Sequence, residues 1–263
     1  MESLILVQLK SSEAQSAQLV ALQSLFARAC NNLAPLVSQS RCWNRVALHH
    51  LAYKGLRERY PQLGSQMVCN VIYSVCRAAR LVYQHPQSPW NVAKIGQASL
   101  PVIAFSDDTP VFFDRHTLSI KKGQVSLFTL DGRMRFELGL AEADEMRFRQ
   151  EKLREISLEK RGGSYFLRFI LVAAAETAID RSGQAEGGGE PALAPAADAS
   201  ALDADALDAD ALDASAQAIS AAQARRLDLP SYLVVHSEPP LFGSPDLAIP
   251  MLQEAGQAQR LRA

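Results

Sequence analysis

The sequence lacks three features that would assign it to a broad class at once. No stretch approaches the 18 or so apolar residues that span a bilayer, and the start of the chain carries no basic leader. Its four cysteines form no CxxC pair, which argues against a zinc ribbon or a dithiol redox centre. We therefore expect a cytoplasmic protein with reduced thiols, no membrane contact, no metal site and no cofactor.

Charge is distributed unevenly along the chain. Residues 1–175 carry 22 Lys and Arg against 14 Asp and Glu, a net charge of +8, whereas residues 176–263 carry 5 against 14, a net charge of −9. The overall net charge of −1 therefore hides two opposite halves. A basic folded part indicates a polyanionic partner, and the acidic part is expected either to stay free in solvent or to fold back and screen the basic surface.

The first 90 residues predict one strand and three helices. The aliphatic run at 3–9 is typical of a buried strand, and apolar residues at helical spacing after Ser11 predict a helix that runs to Pro35. Between residues 44 and 83 the apolar spacing predicts two amphipathic helices joined by a turn at 60–64. We expect residues 11–90 to form a helical lobe.

Beyond residue 100 the pattern changes to short strands. Strands are predicted at 102–105, 111–113, 117–120, 124–129, 134–137, 153–160 and 165–172. The pairs Asp131-Gly132 and Gly162-Gly163 are typical of hairpin turns. Strands this closely spaced predict a small antiparallel β-barrel built from residues 1–10 and 100–175, into which the helical lobe is inserted.

The acidic end of the chain is compositionally simple. Residues 176–228 form a low-complexity linker that includes ALDAD-ALDAD-ALDAS, and three such copies are too few for a stable solenoid. We expect disorder there. The tail at 229–263 begins with one more strand candidate at 229–235. The predicted fold class is therefore α+β: a wedge-like barrel with an inserted three-helix lobe, followed by a disordered acidic tail.

Basic side chains and aromatic rings are interleaved through the first two-thirds of the chain, a mixture suited to stacking on single strands of nucleic acid. A merely solvated basic surface is the alternative interpretation. The nucleic-acid-binding residues predicted from this mixture and from the polar face of the second helix of the pair are Gln66, Asn70, Tyr73, Arg77, Arg80, Arg57, Arg59, Arg115, Lys121, Lys122 and Arg133.

Several ordered motifs resemble the TnpB (OrfB) family, the transposon-encoded relatives of type V CRISPR effectors. ALHHLAYKGLRERYP followed by LGSQMVCNVIYSVCRAARLVY is similar to the N-terminal helical region of that family. VFFDRHTLSIKKGQVSLFTLDGRMRFEL and GGSYFLRFILV resemble its strand region, so the likeness covers residues 3–172. It implies a wedge-type barrel interrupted by a recognition lobe, which holds a guide RNA and helps to read a short motif in duplex DNA.

The resemblance also implies roles for single residues. By position in the family's recognition helix, Ser65, Gln66 and Asn70 would approach base edges, to which amide side chains are suited. Arg77 and Arg80 would hold phosphates, contacts that position a nucleic acid without reading its sequence.

The chain departs from the family pattern after Val172. The family continues into a ribonuclease-H-type nuclease with metal-binding carboxylates and usually a zinc insert, whereas this chain continues into an alanine-rich acidic stretch. Two-metal hydrolysis needs carboxylates fixed around ions about 4 Å apart, and a flexible aspartate repeat does not provide that rigidity. We therefore predict that this chain alone is not an enzyme.

The predicted function is a non-catalytic nucleic-acid-binding protein whose partners are guide-like RNA, double-stranded DNA or both. It would act as a subunit of a split effector with a separate nuclease chain, or as a regulator that occupies DNA without cutting it. Two alternatives stay open. One is a protein-interaction module that uses the acidic tail and the basic lobe, and the other is a decayed fragment of a transposon protein.

Overall fold

The computed structural model describes residues 2–173, except 115 and 122, together with residues 228–236. In these ranges the helices are α1 (Glu13–Ser40), α2 (Arg45–Arg59), α3 (Ser65–Tyr83), α4 (Val92–Ile95) and α5 (Glu142–Gln150). The strands are β1 (Glu2–Gln8), β2 (Val102–Phe105), β3 (Val111–Phe113), β4 (Leu118–Lys121), β5 (Gln124–Thr129), β6 (Gly132–Glu137), β7 (Glu151–Arg161), β8 (Ser164–Ala173) and β9 (Leu233–His236). The predicted linker lies outside the described residues, apart from Asp228.

Helix α1 is longer than its sequence predicts. A capping box starts it, because the Ser12 hydroxyl accepts from the Gln15 N–H while the Gln15 side chain accepts from the Ser12 N–H. The prediction that the helix runs to Pro35 was wrong, since it continues to Ser40. The buried Val37 extends the apolar face past the proline, and this packing outweighs the single backbone hydrogen bond that proline removes.

The hairpin of α2 and α3 is confirmed, with a turn between Arg59 and Ser65. Helix α3 is the central helix of the core, because most of its residues are buried, whereas α2 buries only one narrow stripe. A Cβ atom at Gly64 would lie 3.0 Å from the Phe128 ring of β5, so the turn needs glycine for this close approach.

The described strands form three antiparallel sheets. A four-stranded sheet has the order β1-β8-β7-β3, a meander has the order β4-β5-β6, and β2 pairs with β9. Both predicted hairpin turns are present, and Gly162 and Gly163 adopt positive φ angles of 55° and 84° between β7 and β8. The strand predicted at 229–235 is observed as the shorter β9, in which Leu233 pairs with Phe105 of β2.

No closed barrel is found among the described strands, so the mixed α and β class is confirmed and the closed barrel is not. The reason lies at the β3 edge of the four-stranded sheet. There α3 packs instead of another strand, and the Asn70 side chain donates to the Phe112 carbonyl at 3.0 Å. An edge whose carbonyl is bound by a helix side chain is not extended by a further strand.

Helix α5 was not predicted. None of its residues with a described side chain is buried, and its sequence lacks the apolar periodicity that indicates a helix. Phe148 is its main contact with the core and meets the ring of Phe169 edge-on, with ring centroids 5.0 Å apart. None of the described helices is long and apolar enough to cross a bilayer.

Candidate nucleic-acid interface

The polar face of α3 carries four of the predicted binding residues, spaced four, three and four apart so that they form one stripe. Gln66 donates to the Asp114 carboxylate, and Asn70 donates to the Phe112 carbonyl. Tyr73 donates to Glu155 at 2.8 Å, and Arg77 lies 3.6 Å from the same carboxylate. The first three side chains of the stripe therefore face the β3 edge and β7 rather than open solvent.

This arrangement corrects the base-reading role predicted for Asn70. Its side chain is only 5% exposed, and its amide nitrogen already has a partner in Phe112. A buried amide in this position secures the helix to the sheet and is out of reach of a base edge. Gln66 is half-buried and also bonded to protein, whereas Ser65 is exposed at the first position of α3.

Glu155 is the centre of the polar contacts beside α3. Besides Tyr73 and Arg77, it receives a hydrogen bond from Arg168 of β8 at 3.4 Å. Its side chain is largely buried; Tyr73 and Arg168 donate hydrogen bonds to it, and Arg77 forms an ion pair with it. Burial, together with the nearby charge of Glu155, raises the pKa of Tyr73 well above its ordinary value, so the phenol stays protonated and donates.

An open cleft of about 310 Å³ lies beside this carboxylate. We call it the arginine cleft and define it by Arg77, Phe112, Glu159, Arg161, Arg168 and Tyr232. Its walls come from α3, β3, the β7–β8 hairpin and the segment that leads into β9. Residues far apart in sequence therefore meet at one surface.

Three guanidinium groups reach the arginine cleft. Arg161 pairs with Glu159 at 2.6 Å, and Arg168 lies 3.8 Å from the same carboxylate. Arg77 lies over the face of the Phe112 ring, 5.3 Å from its centroid, and stays 43% exposed. With Glu155 included, three positive charges face two negative charges, so the cleft carries one excess positive charge.

The chemistry of such a cleft is anion binding. A guanidinium presents a planar fork of donors that matches the oxygen atoms of a carboxylate or a phosphate, and an exposed ring face stacks on bases. Arg77 and Tyr232 bring these two groups together, because the phenol ring of Tyr232 lines the same opening. Burial raises the pKa of Tyr232, so its hydroxyl remains neutral and does not repel an anion.

The sequence correctly predicts that Tyr73 and Arg77 lie near one another. The arginines that the sheet contributes to the cleft, Arg161 and Arg168, were not predicted. A signal for Arg168 was present, because it alternates with the buried Leu167 and Phe169 and therefore points to the opposite face of β8. Arg161 precedes the Gly162-Gly163 turn, where basic residues are exposed. No sequence signal links Tyr232 to these residues.

The other predicted binding residues lie elsewhere. Arg57 donates to the Leu63 carbonyl in the α2–α3 turn, and Arg133 donates to the His116 carbonyl at 2.6 Å. Both therefore have structural partners. Three further predicted side chains have a described position: Arg59, Arg80 and Lys121. They are half-buried or exposed, and none of them lines the arginine cleft. Arg115 and Lys122 fall outside the described residues.

In the part of the chain that the structure describes, no three His, Cys, Asp or Glu side chains come together as a potential metal site. Comparison with models of known protein families gave no match, and comparison with curated proteins gave none.

Proposed function

We propose that this chain is a non-catalytic nucleic-acid-binding protein and that the arginine cleft holds the sugar-phosphate backbone of a single strand. The observation that carries this proposal is that Arg77, Arg161 and Arg168 converge on one opening that the half-buried Tyr232 also lines. Cations and ring faces in one groove are the combination that single-stranded nucleic acids require.

In this proposal a phosphate competes with a carboxylate that the arginines already bind. Arg161 would exchange Glu159 for a phosphate oxygen, since its own side chain is about half exposed and Glu159 keeps Arg168 and the Ser157 hydroxyl as partners. Arg168 and Arg77 keep Glu155 as a fixed anchor and offer their outer N–H groups. Bases next to the bound phosphates would stack on Tyr232, whose ring lines the opening.

The likeness to the TnpB family gives this proposal its partners. Guide-like RNA, a DNA duplex, or both would be bound by the helical lobe and the sheets, which together would correspond to the family's recognition and wedge parts. Hydrolysis would be the task of a separate nuclease chain. A regulator that occupies DNA without cutting it would use the same surface.

A direct test is fluorescence anisotropy of labelled 20-nucleotide single-stranded RNA, single-stranded DNA and duplex DNA with the full chain. We expect Arg161→Gln to weaken single-strand binding about five- to tenfold, as expected for loss of one charged phosphate contact. The matched control is Arg147→Gln on α5, because Arg147 is also exposed and paired with a carboxylate but lies outside the arginine cleft. The control should bind as the parent does.

Salt dependence provides a second readout. Three phosphate contacts on a single strand predict a slope of log K against log[salt] of about −2, and Arg161→Gln should make it shallower by about 0.7. Equal losses of affinity in the Arg161 and Arg147 variants, or no binding to any of the three nucleic acids, would overturn the proposal.

An acidic peptide is a second candidate ligand. It is favoured by one observation, namely that the arginine cleft already binds two carboxylates of its own chain, Glu155 and Glu159. A labelled oligo-glutamate of matched charge separates the candidates. Tighter binding of the peptide than of the nucleic acids would support the protein-interaction function, in which an acidic protein surface is the partner.

A further inference from the structure

Among the described strands, β1 forms an outer edge of the four-stranded sheet. Its inner side pairs with β8 along its whole length, and no described strand lies on its outer side. The Leu9 N–H donates to the Tyr165 carbonyl at 2.8 Å. This bond fixes which residues of β1 direct their backbone groups towards β8, because the direction alternates along an antiparallel strand. The odd-numbered residues of β1 therefore bond to β8, while the backbone groups of the even-numbered residues point outward.

The side chains of this edge are unusually apolar. Leu4 is 54% exposed and Leu6 is 39% exposed, although both belong to a seven-residue strand. Exposed edges in monomeric proteins are normally short or blocked by lysine, proline or a bulge, and β1 has none of these. The opposite edge of the sheet, β3, is covered by α3. The contrast indicates that β1 has a partner.

We propose that β1 pairs with β1 of a second copy of this chain, antiparallel and about a two-fold axis at Ile5. In this register the whole strand is matched, with Glu2 opposite Gln8 of the partner subunit and Leu4 opposite Leu6 of the partner subunit. The outward backbone groups of the even-numbered residues then bond to each other. Because the interface is isologous, each favourable pair occurs twice.

Competing registers fit less well. A shift of two residues places Leu4 opposite Gln8 of the partner subunit and leaves part of the strand unpaired. A shift of one residue sets outward backbone groups against groups already bonded to β8, so the ladder cannot form. In the register centred on Ile5, no like charges face each other across the two strands. Four leucine side chains then lie together on one face of an eight-stranded sheet.

The dimer would also hold the two arginine clefts at a fixed distance from each other. Arg168 lies opposite Leu6 on β8, so its side chain shares a face with the leucine cluster. From strand spacing and rise, the two Arg168 Cα atoms would be about 16 Å apart on that face. This consequence depends on the proposed function, but the pairing of β1 does not.

The mass of the full chain in solution tests the proposal. Sedimentation equilibrium at about 50 µM should give twice the chain mass of 28.7 kDa. The double variant Leu4→Lys/Leu6→Lys should be a monomer with an unchanged far-UV circular dichroism spectrum. Val46→Lys is the matched control, because Val46 is an apolar residue of α2 that is 48% exposed, and it should leave the dimer intact.

A charge-swap experiment tests whether the two β1 strands lie side by side. The variant Leu4→Glu/Leu6→Glu should also be a monomer, and mixing it with the lysine variant should restore a heterodimer, since residue 4 of one copy faces residue 6 of the other. A monomeric parent chain, a dimer that survives the lysine substitutions, or a mixture that stays monomeric would each overturn the proposal. None of these results depends on nucleic-acid binding.

Discussion

Asn31 of α1 binds both backbone groups of Phe105 in β2. Its amide nitrogen donates to the Phe105 carbonyl at 2.8 Å, and its side-chain oxygen accepts from the Phe105 N–H at 2.7 Å. A single side chain thus imitates a neighbouring strand at the end of a two-stranded sheet. Helix α1 and the β2–β9 pair are thereby fixed to each other, and β9 follows directly from the segment that carries Tyr232.

We expect Asn31→Ala to lower the free energy of unfolding by about 2–3 kcal/mol, because it leaves two backbone groups of Phe105 without partners. Urea denaturation measures this loss. The control is Asn32→Ala, a neighbouring half-buried asparagine, which should change stability by no more than about 0.5 kcal/mol. Equal effects of the two substitutions would mean that the paired bonds to Phe105 contribute little.

Asn70→Ala separates a structural role from a base-reading role. We expect a loss of about 1–3 kcal/mol in stability, because the Phe112 carbonyl loses its donor inside the protein. Affinity for single-stranded RNA or DNA should be unchanged at a temperature where the variant is fully folded. A variant of parental stability with weaker nucleic-acid binding would restore Asn70 to the binding surface.

Replacing Glu155 should affect stability and binding in opposite directions. Glu155→Gln removes the carboxylate that pairs with Arg77 and Arg168, so we expect lower stability by about 1–3 kcal/mol. The same change removes a negative charge beside the arginine cleft, and affinity for a single strand should rise several-fold. Denaturation and anisotropy measure the two effects.

The control for this substitution is Glu137→Gln, which removes an exposed carboxylate of β6. It should leave stability and affinity nearly unchanged. If Glu155→Gln instead weakened nucleic-acid binding while the protein stayed folded, the carboxylate would be positioning the arginines rather than competing for them.

Alkaline pH should destabilise the fold through its buried thiols. Burial raises the pKa of Cys76 from 9.0 to about 12, so the folded state keeps the thiol proton that the unfolded state releases. The stability from this group is fully present below pH 9 and is lost as the pH rises towards the folded pKa, by about 1.4 kcal/mol per pH unit.

In the Cys76→Ala variant, the unfolding free energy should fall less steeply with pH between pH 9 and 10.5, by the contribution of one proton. Urea denaturation under reducing conditions measures this slope. Val75→Ala is the matched control, because it truncates a neighbouring buried side chain without removing a thiol. It should lower stability at every pH and leave the slope unchanged. Identical slopes in the parent and the Cys76 variant would contradict the assignment.

Much of the fold could be predicted because its signals are local. Turn residues and strand alternation located β2, β3 and β5 at their observed bounds, and apolar periodicity located α2 and α3. The wrong predictions of helices also have physical explanations. Helix α5 has no apolar face to detect, and Pro35 lies inside a helix because packing around it outweighs its own preference.

The candidate site could be predicted only in part. The spacing of Gln66, Asn70, Tyr73 and Arg77 did place them on one face of a helix. The sequence predicts that this face is open to nucleic acid, whereas in the structure most of it packs against β3 and β7. The likeness to the TnpB family and its implied partners stay a prediction.

The sequence by itself determined where helices and strands form and which side chains share a face, since both follow from spacing between near neighbours. Only the tertiary structure decided what each face meets. Asn70 is buried against Phe112 and Arg77 is left open beside Arg168 because hydrogen-bond partners come from segments distant along the chain. Burial and pairing of a polar group depend on that three-dimensional arrangement, which no local pattern records.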